Sequence, residues 1–198
     1  MRQLLLGTNN QGKLKELRAL LKDLDIELLS PAEAGISLKI KETGSTYREN
    51  ALLKAQGFAA ASGLWTLADD SGLEVDALGG EPGLYSSRYA PQAEATDADR
   101  RAHLLSNLQG KDRPWKAHFT CTVALCSPHG EQRISTGICP GEIIPEERGA
   151  GGFGYDPIFL VEAEGLTMAE LDPVRKNALS HRGRAVRKII PVLQELSR

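Results

Sequence analysis

Two short apolar runs, Leu4-Leu5-Leu6 and residues 64–68, each break off at a polar turn, and the stretch between them carries helical spacing. Runs this short, bounded by turn residues, suit buried strands better than helices. Gln3–Leu6 therefore reads as a strand, followed by a turn over residues 7–12 and a helix with Leu14, Leu17, Leu21 and Leu24 on one face and Lys13, Lys15, Glu16 and Lys22 mostly outside. A second helix begins at Thr46, where Thr46 and Glu49 make a capping box. It passes through Ala51, Leu52, Ala55, Phe58 and Ala59 and stops at Gly63. The second apolar run then ends at Asp69-Asp70-Ser71-Gly72, after which Leu73, Val75 and Ala77 alternate with Glu74 and Asp76 as in a half-exposed strand.

Farther on, residues 79–91 form a loop rich in Gly, Pro and Tyr, and a helix spans 96–108. Strands over 117–126 and 132–138 flank Pro128-His129-Gly130 as a hairpin. A glycine-dense loop, residues 149–154, precedes Tyr155-Asp156-Pro157 and a short apolar run over 158–161. The last helix carries Val186, Ile189, Ile190, Leu193 and Leu196 on one face, and Pro191 should kink it. Helices alternating with strands, plus one hairpin, predict an α/β protein with a mixed sheet in a single domain over residues 1–198.

Composition narrows the function. A net charge of −2 offers no whole-chain attraction for nucleic acid. A phosphate-bearing ligand must then be met by a few placed cations and a metal. No run approaches a membrane span, and Leu4-Leu5-Leu6 is too short for a signal peptide core. Cys121, Cys126 and Cys139 are odd in number and lack C-x-x-C spacing, which predicts buried free thiols in a reducing cytosol.

Five places can carry chemistry. Gly7-Thr8-Asn9-Asn10-Gln11-Gly12-Lys13 joins a strand to a helix, aiming backbone N–H groups and the positive end of the helix dipole at one point. It matches G-x-x-x-x-G-K, but Leu14 stands where a P-loop needs Ser or Thr for its metal. Asp69 and Asp70 put like charges side by side at the end of an apolar run, a cost that metal binding offsets. Glu42 lies just before the second helix, whose Asn50 and Lys54 share a face. The glycine loop allows close backbone approach to a ligand, with Phe153 placed to stack on a base. Ser180-His181-Arg182-Gly183, with Lys176 upstream, gathers donors before the last helix.

In this order the five places resemble the inosine triphosphate pyrophosphatase family, also called dITP/XTP or non-standard purine NTP pyrophosphatases. The matching blocks are Thr8 to Lys13; Glu42-Thr43-Gly44; Glu49-Asn50-Ala51 with Lys54; Ala68 to Leu73; Pro82-Gly83 with Ser86, Arg88 and Tyr89; Gly151 to Pro157; and Lys176 with Ser180 to Gly183. The resemblance implies a two-lobed fold around a long mixed sheet flanked by helices, an active site in the cleft between lobes, and a cytoplasmic homodimer. It implies Mg²⁺-dependent cleavage of purine nucleoside triphosphates between the α- and β-phosphates. Asp70 would be the catalytic acid/base, and Glu42 and Asp70 the Mg²⁺ ligands, with Asp69 in support. Thr8, Asn9, Asn10, Gln11, Gly12, Lys13, Lys54 and Ser71 would meet the phosphates. Phe153, Gly154, Tyr155, Asp156, Lys176, His181 and Arg182 would form the base pocket. A P-loop ATPase or kinase and a non-catalytic nucleotide sensor or nucleic-acid binder are the alternatives, and Mg²⁺-dependent release of pyrophosphate rather than phosphate separates all three readings.

Overall fold

A computed structural model describes residues 2–197; the first and last residues of the expected domain lie outside them. Strand β1 (Gln3–Leu6) is followed by helix α1 (Gln11–Leu21), strand β2 (Glu27–Leu29), helix α2 (Tyr47–Ser62) and strand β3 (Thr66–Val75). Helix α3 (Asp97–Leu108), strands β4 (Trp115–Cys126), β5 (Gln132–Ile143) and β6 (Phe159–Val161), and helices α4 (Pro173–Leu179) and α5 (His181–Ser197) complete the chain. The strands make one mixed sheet in the order β2-β1-β3-β4-β5-β6. β1 pairs in parallel with β2 (Leu4 opposite Leu28) and with β3 (Leu6 opposite Leu67), whereas β6 runs antiparallel to β5.

Local sequence explains most boundaries. Thr46 and Glu49 cap α2 reciprocally, and Gly63, left-handed at φ 69°, ends it. Asp172 accepts from the Val174 and Arg175 amides and Pro173 opens α4, a helix the apolar spacing did not announce. α5 contains Pro191 within an unbroken helical element.

Two strands outrun their expected ends. β3 continues through Asp69 and Asp70, because both carboxylates have cationic partners inside the fold. β5 continues past Ile138, since Cys139, Gly141 and Ile143 keep facing inward while exposed Pro140 does not interrupt that alternation. β6 crosses so close to Gly141 that a Cβ there would lie 2.3 Å from the Leu160 carbonyl oxygen. Within the loop of residues 79–91, Gly83–Arg88 forms a 3₁₀ segment.

Contacts divide the chain into two units. One takes the residues up to Asp70, Cys121–Gly137 and those after His181; the other takes Ser71–Thr120 and Ile138–His181. The first unit buries Leu4, Leu6, Leu17, Leu67, Val123, Val186 and Leu193 together. A second seam sets Ala51, Ala55 and Ala59 of α2 against Ala68 and Ala124, small side chains that let helix and sheet approach closely. The other unit has its own core around Leu73, Leu104, Phe119, Tyr155 and Phe159. All three cysteines are buried thiols outside any disulfide. Among the described residues, no helix is long and apolar enough to cross a membrane.

Candidate active site

In the first unit, the turn after β1 becomes the N-terminus of α1. The Asn10 side-chain oxygen caps the helix by accepting from the Lys13 amide at 3.0 Å, and the Asn10 amide donates to Thr8 Oγ1 at 3.2 Å. The cap takes the Lys13 amide and leaves those of Gln11 and Gly12 at the positive end of the helix, where an anion is favoured. Gly7 allows the turn to hug the sheet: a Cβ there would lie 3.0 Å from the Thr66 methyl group. Leu14, at the position a P-loop gives to Ser or Thr, is buried in the core. The P-loop alternative therefore loses its metal-binding hydroxyl.

Lys13 reaches inward as well. Its ammonium lies 3.0 Å from Asp69 Oδ2. Arg182 donates to the same oxygen from Nη2 at 3.0 Å and Nε at 3.3 Å, and its Nη1 pairs with Glu16. The Cys121 thiol lies 3.7 Å from Asp69 Oδ2. Asp69 is thus enclosed by cations at 1% exposure. Burial alone would raise its pKa, but Arg182, Lys13 and Lys54 hold it well below the usual carboxylate range. Cys121 is pushed up, by burial and then by the Asp69 charge, so it stays a thiol.

Asp70 has a different environment. Lys54 Nζ bridges Asp70 Oδ1 at 2.9 Å and Glu42 Oε1 at 3.0 Å. Asn50 Nδ2 donates to Asp70 Oδ2 at 3.3 Å, while Asn50 Oδ1 accepts from the Gly44 amide at 2.8 Å. Asn50 therefore ties the segment carrying Glu42 to the acid on β3. Burial raises the Asp70 pKa above its ordinary value, and the nearby Lys54 only partly opposes this. Lys54 is held above its own ordinary value: burial pulls it down, but Asp70, Asp69 and Glu42 outweigh that pull. Adjacent acids on one strand have thus diverged: cations hold the Asp69 carboxyl below its ordinary range, while burial raises that of Asp70.

The second unit holds Phe153 and Tyr155, the aromatic residues of the expected base pocket. Asp156 Oδ2 accepts from the Phe153 amide at 2.8 Å and from Lys176 Nζ at 2.6 Å. That places the Lys176 ammonium 5.2 Å from the centre of the Phe153 ring, in cation–π range. Gly152 is required here: its φ is +73°, and a Cβ would fall 2.0 Å from Asp156 Oδ2. The His181 ring stacks on Phe119 with centroids 4.6 Å apart. Tyr155 turns into the core and donates its hydroxyl to the Ser86 carbonyl at 2.8 Å. Ser86 Oγ in turn accepts from the Leu73 amide at 2.9 Å, so the Pro82–Tyr89 block braces both the start of this unit and its aromatic loop.

The Ham1 family model matches residues 4–192, nearly the whole chain. The chain belongs to the Ham1 family. It is 49% identical over 193 residues to the dITP/XTP pyrophosphatase of Gloeobacter violaceus, covering 96% of this chain and 93% of that one. To the dITP/XTP pyrophosphatase of Nostoc sp. it is 47% identical over 190 residues, covering 95% and 92%. The solved HAM1 protein of Coxiella burnetii matches with a TM-score of 0.88 and 45% identity, over 98% of this chain and 100% of that one. The α/β fold with a mixed six-stranded sheet is therefore the Ham1 fold.

In this Ham1 chain the structure brings together Asn10, Lys13, Glu42, Lys54, Asp69 and Asp70 in one unit, and Phe153, Gly154, Asp156, Lys176 and His181 in the other. Thr8 to Gly12 form the capped turn, and Ser71 follows Asp70 on β3. Two expectations change. Arg182, expected among the base-reading groups, has its guanidinium buried against Asp69 and Glu16. Glu16, expected on the outer face of α1, is buried. Nothing in the local sequence marks that pair, because the partners lie 166 positions apart. Asn50 could be found from its shared helix face with Lys54, although its hydrogen bonds could not.

Proposed function

We propose that this Ham1 chain hydrolyses non-standard purine nucleoside triphosphates, inosine and xanthosine triphosphates among them, to the monophosphate and pyrophosphate. The observation that carries this reading is the Glu42–Lys54–Asp70 bridge, set in a chain nearly half identical to dITP/XTP pyrophosphatases. The reading brings with it Mg²⁺, a homodimer as the working assembly, and the cytoplasm as its setting.

The donor set fits a hard divalent cation. Two carboxylates, Glu42 and Asp70, already converge on one positive group, and the surrounding cluster sets four carboxylates against three cations. Among the described residues no three metal-ligating side chains converge. This suits Mg²⁺, which keeps several waters and takes one or two carboxylates together with substrate phosphates. Bound there, the metal would neutralise charge on the triphosphate and polarise it.

The chain's own groups do the rest. Asp70, with its proton affinity raised by burial, accepts a proton from the attacking water at its carboxylate oxygen. Lys54, and the first-turn amides of α1, stabilise negative charge on the phosphate chain. Asp69 stays ionised and holds Lys13 and Arg182 in place. Phe153 offers a ring face to the base, and Lys176 and His181 supply donors to a 6-keto oxygen. Adenine presents an amino donor there, and a buried donor left unmatched costs about 1–3 kcal/mol.

Steady-state kinetics on a nucleotide panel test the proposal. Inosine and xanthosine triphosphates should exceed ATP in kcat/KM by at least ~10-fold, and chelation with EDTA should stop all turnover. Equal values for the three nucleotides would refute the base assignment, and turnover unaffected by chelation would refute the metal assignment.

A further inference from the structure

The glycine loop that carries Phe153 holds that residue locally, since the Asp156 carboxylate accepts from its amide at 2.8 Å and the Asp156 amide donates to its carbonyl at 3.3 Å. Residues 145–152 are exposed, and Gly149, Gly152 and Gly154 all have positive φ, at 82°, 73° and 63°. The loop's base is closed independently by backbone: the Arg148 amide donates to the Pro157 carbonyl at 2.9 Å and the Gly151 amide to Ala169 at 3.0 Å. Those bonds do not reach the amide and carbonyl of Gly154, the residue that follows the ring.

The first turns of α3 hold both of these Gly154 groups. Asp97 Oδ2 accepts from the Gly154 amide at 2.7 Å. Arg101 Nη1 donates to the Gly154 carbonyl at 2.9 Å. One residue is thus gripped at both its backbone polar groups, by side chains four positions apart on the same helix face. Arg101 is itself immobilised by a two-point fork onto Glu147, with Nε and Nη2 at 2.8 and 2.9 Å from its carboxylate oxygens. Glu147 lies at the far end of the same loop, so a single guanidinium joins the loop's entry to its exit. Arg100, which pairs with Asp97, steadies the other jaw. The Asp97 carboxyl is held below its ordinary range: burial opposes this, but the Gly154 amide and the two arginines prevail.

We propose that Asp97 and Arg101 are positioning residues for purine recognition, clamping the Gly154 peptide so that Phe153 presents a fixed ring face to the base. This rests on the reading of Phe153 as part of the base pocket. Neither residue belongs to the sequence blocks that first suggested nucleotide chemistry, and neither touches the acid pair. Their contribution is to order the loop before substrate arrives, which lowers the ordering cost of binding rather than the barrier of the chemical step.

The test compares kcat and KM for inosine triphosphate in Arg101→Ala, Asp97→Asn and Phe153→Ala. Both clamp variants should raise KM by about tenfold with kcat within about threefold, since the lost term is loop ordering on binding. Arg101→Lys, which keeps the charge but not the fork, should fall between wild type and Arg101→Ala. Arg101→Ala should also add little to KM in a Phe153→Ala background, because the clamp acts through that ring. If Phe153→Ala raises KM while Arg101→Ala and Asp97→Asn leave it unchanged, the clamp is refuted and the base pocket stands. If Phe153→Ala leaves KM unchanged, the base-pocket reading fails and the clamp fails with it. A fall in kcat in the clamp variants, fully additive with Phe153→Ala, would mark a general structural role and also overturn the proposal.

Discussion

Asp69→Asn removes a charge from a position 1% exposed, where one oxygen meets Arg182 at 3.0 and 3.3 Å and Lys13 at 3.0 Å. The other oxygen, Oδ1, is buried without a hydrogen-bond partner among the described residues. An asparagine amide therefore has no good orientation. Its NH₂ either faces the cations, donor against donor, or occupies the position that lacks a partner. Removing one member of a buried ion pair costs about 3–5 kcal/mol, and the oxygen that Asn retains favours the lower end, about 3 kcal/mol. For a chain of this size that lowers the melting temperature by about 6–12 °C. The pH dependence follows from the depressed pKa of Asp69. A carboxylate whose folded pKa lies below its unfolded value stabilises fully above about pH 4 and loses that contribution as pH falls further. Urea unfolding of wild type and variant should show a constant gap from pH 8 to about pH 5 and a shrinking one below about pH 4. A gap under about 1 kcal/mol at neutral pH, or one that widens on acidification, would refute the buried-anchor role.

The neighbouring acid should behave in the opposite way. Asp70→Asn should lower turnover by ~10²–10⁴-fold while leaving the melting temperature at or above that of wild type, because burial already disfavours the ionised carboxyl; a variant retaining more than about a tenth of wild-type turnover would exclude Asp70 as the base. Since burial raises the Asp70 pKa, the acid limb of kcat/KM should lie above the ordinary Asp value of about 3.9; a limb at or below that value argues against it. Glu42→Gln should raise the Mg²⁺ concentration for half-maximal activity by roughly tenfold or more, and an unchanged titration would remove Glu42 from the metal site.

Much of this architecture could be read from local pattern. The capping box at Thr46, the left-handed stop at Gly63 and the leucine spacing of α1 are short-range signals, and the structure realises each. β2 escaped notice because three residues carry no period, and β5 outran its expected end because Pro140 sits on the exposed face of a strand that gains a new partner in β6. The site divides along the same line. That Asp69 and Asp70 needed positive charge was legible from their adjacency, although the sequence pointed to a metal and the structure sets Lys13, Lys54 and Arg182 beside them. Which cations they found was not: Lys54 is sixteen positions from Asp70 and Arg182 is 113 from Asp69. Arg182 is the instructive case. A donor-rich cluster before a helix invites a ligand, but a guanidinium satisfied by two buried carboxylates has already found its partners inside the protein.

Product analysis tests the central claim most directly. Inosine triphosphate turned over in the presence of Mg²⁺ and followed by ³¹P NMR should yield the monophosphate and pyrophosphate in equal amounts, with no orthophosphate or inosine diphosphate at early times. Over the same interval Asp70→Asn should give at most about a hundredth of these products. Orthophosphate and inosine diphosphate as the first products would place cleavage at the terminal phosphate and contradict the account.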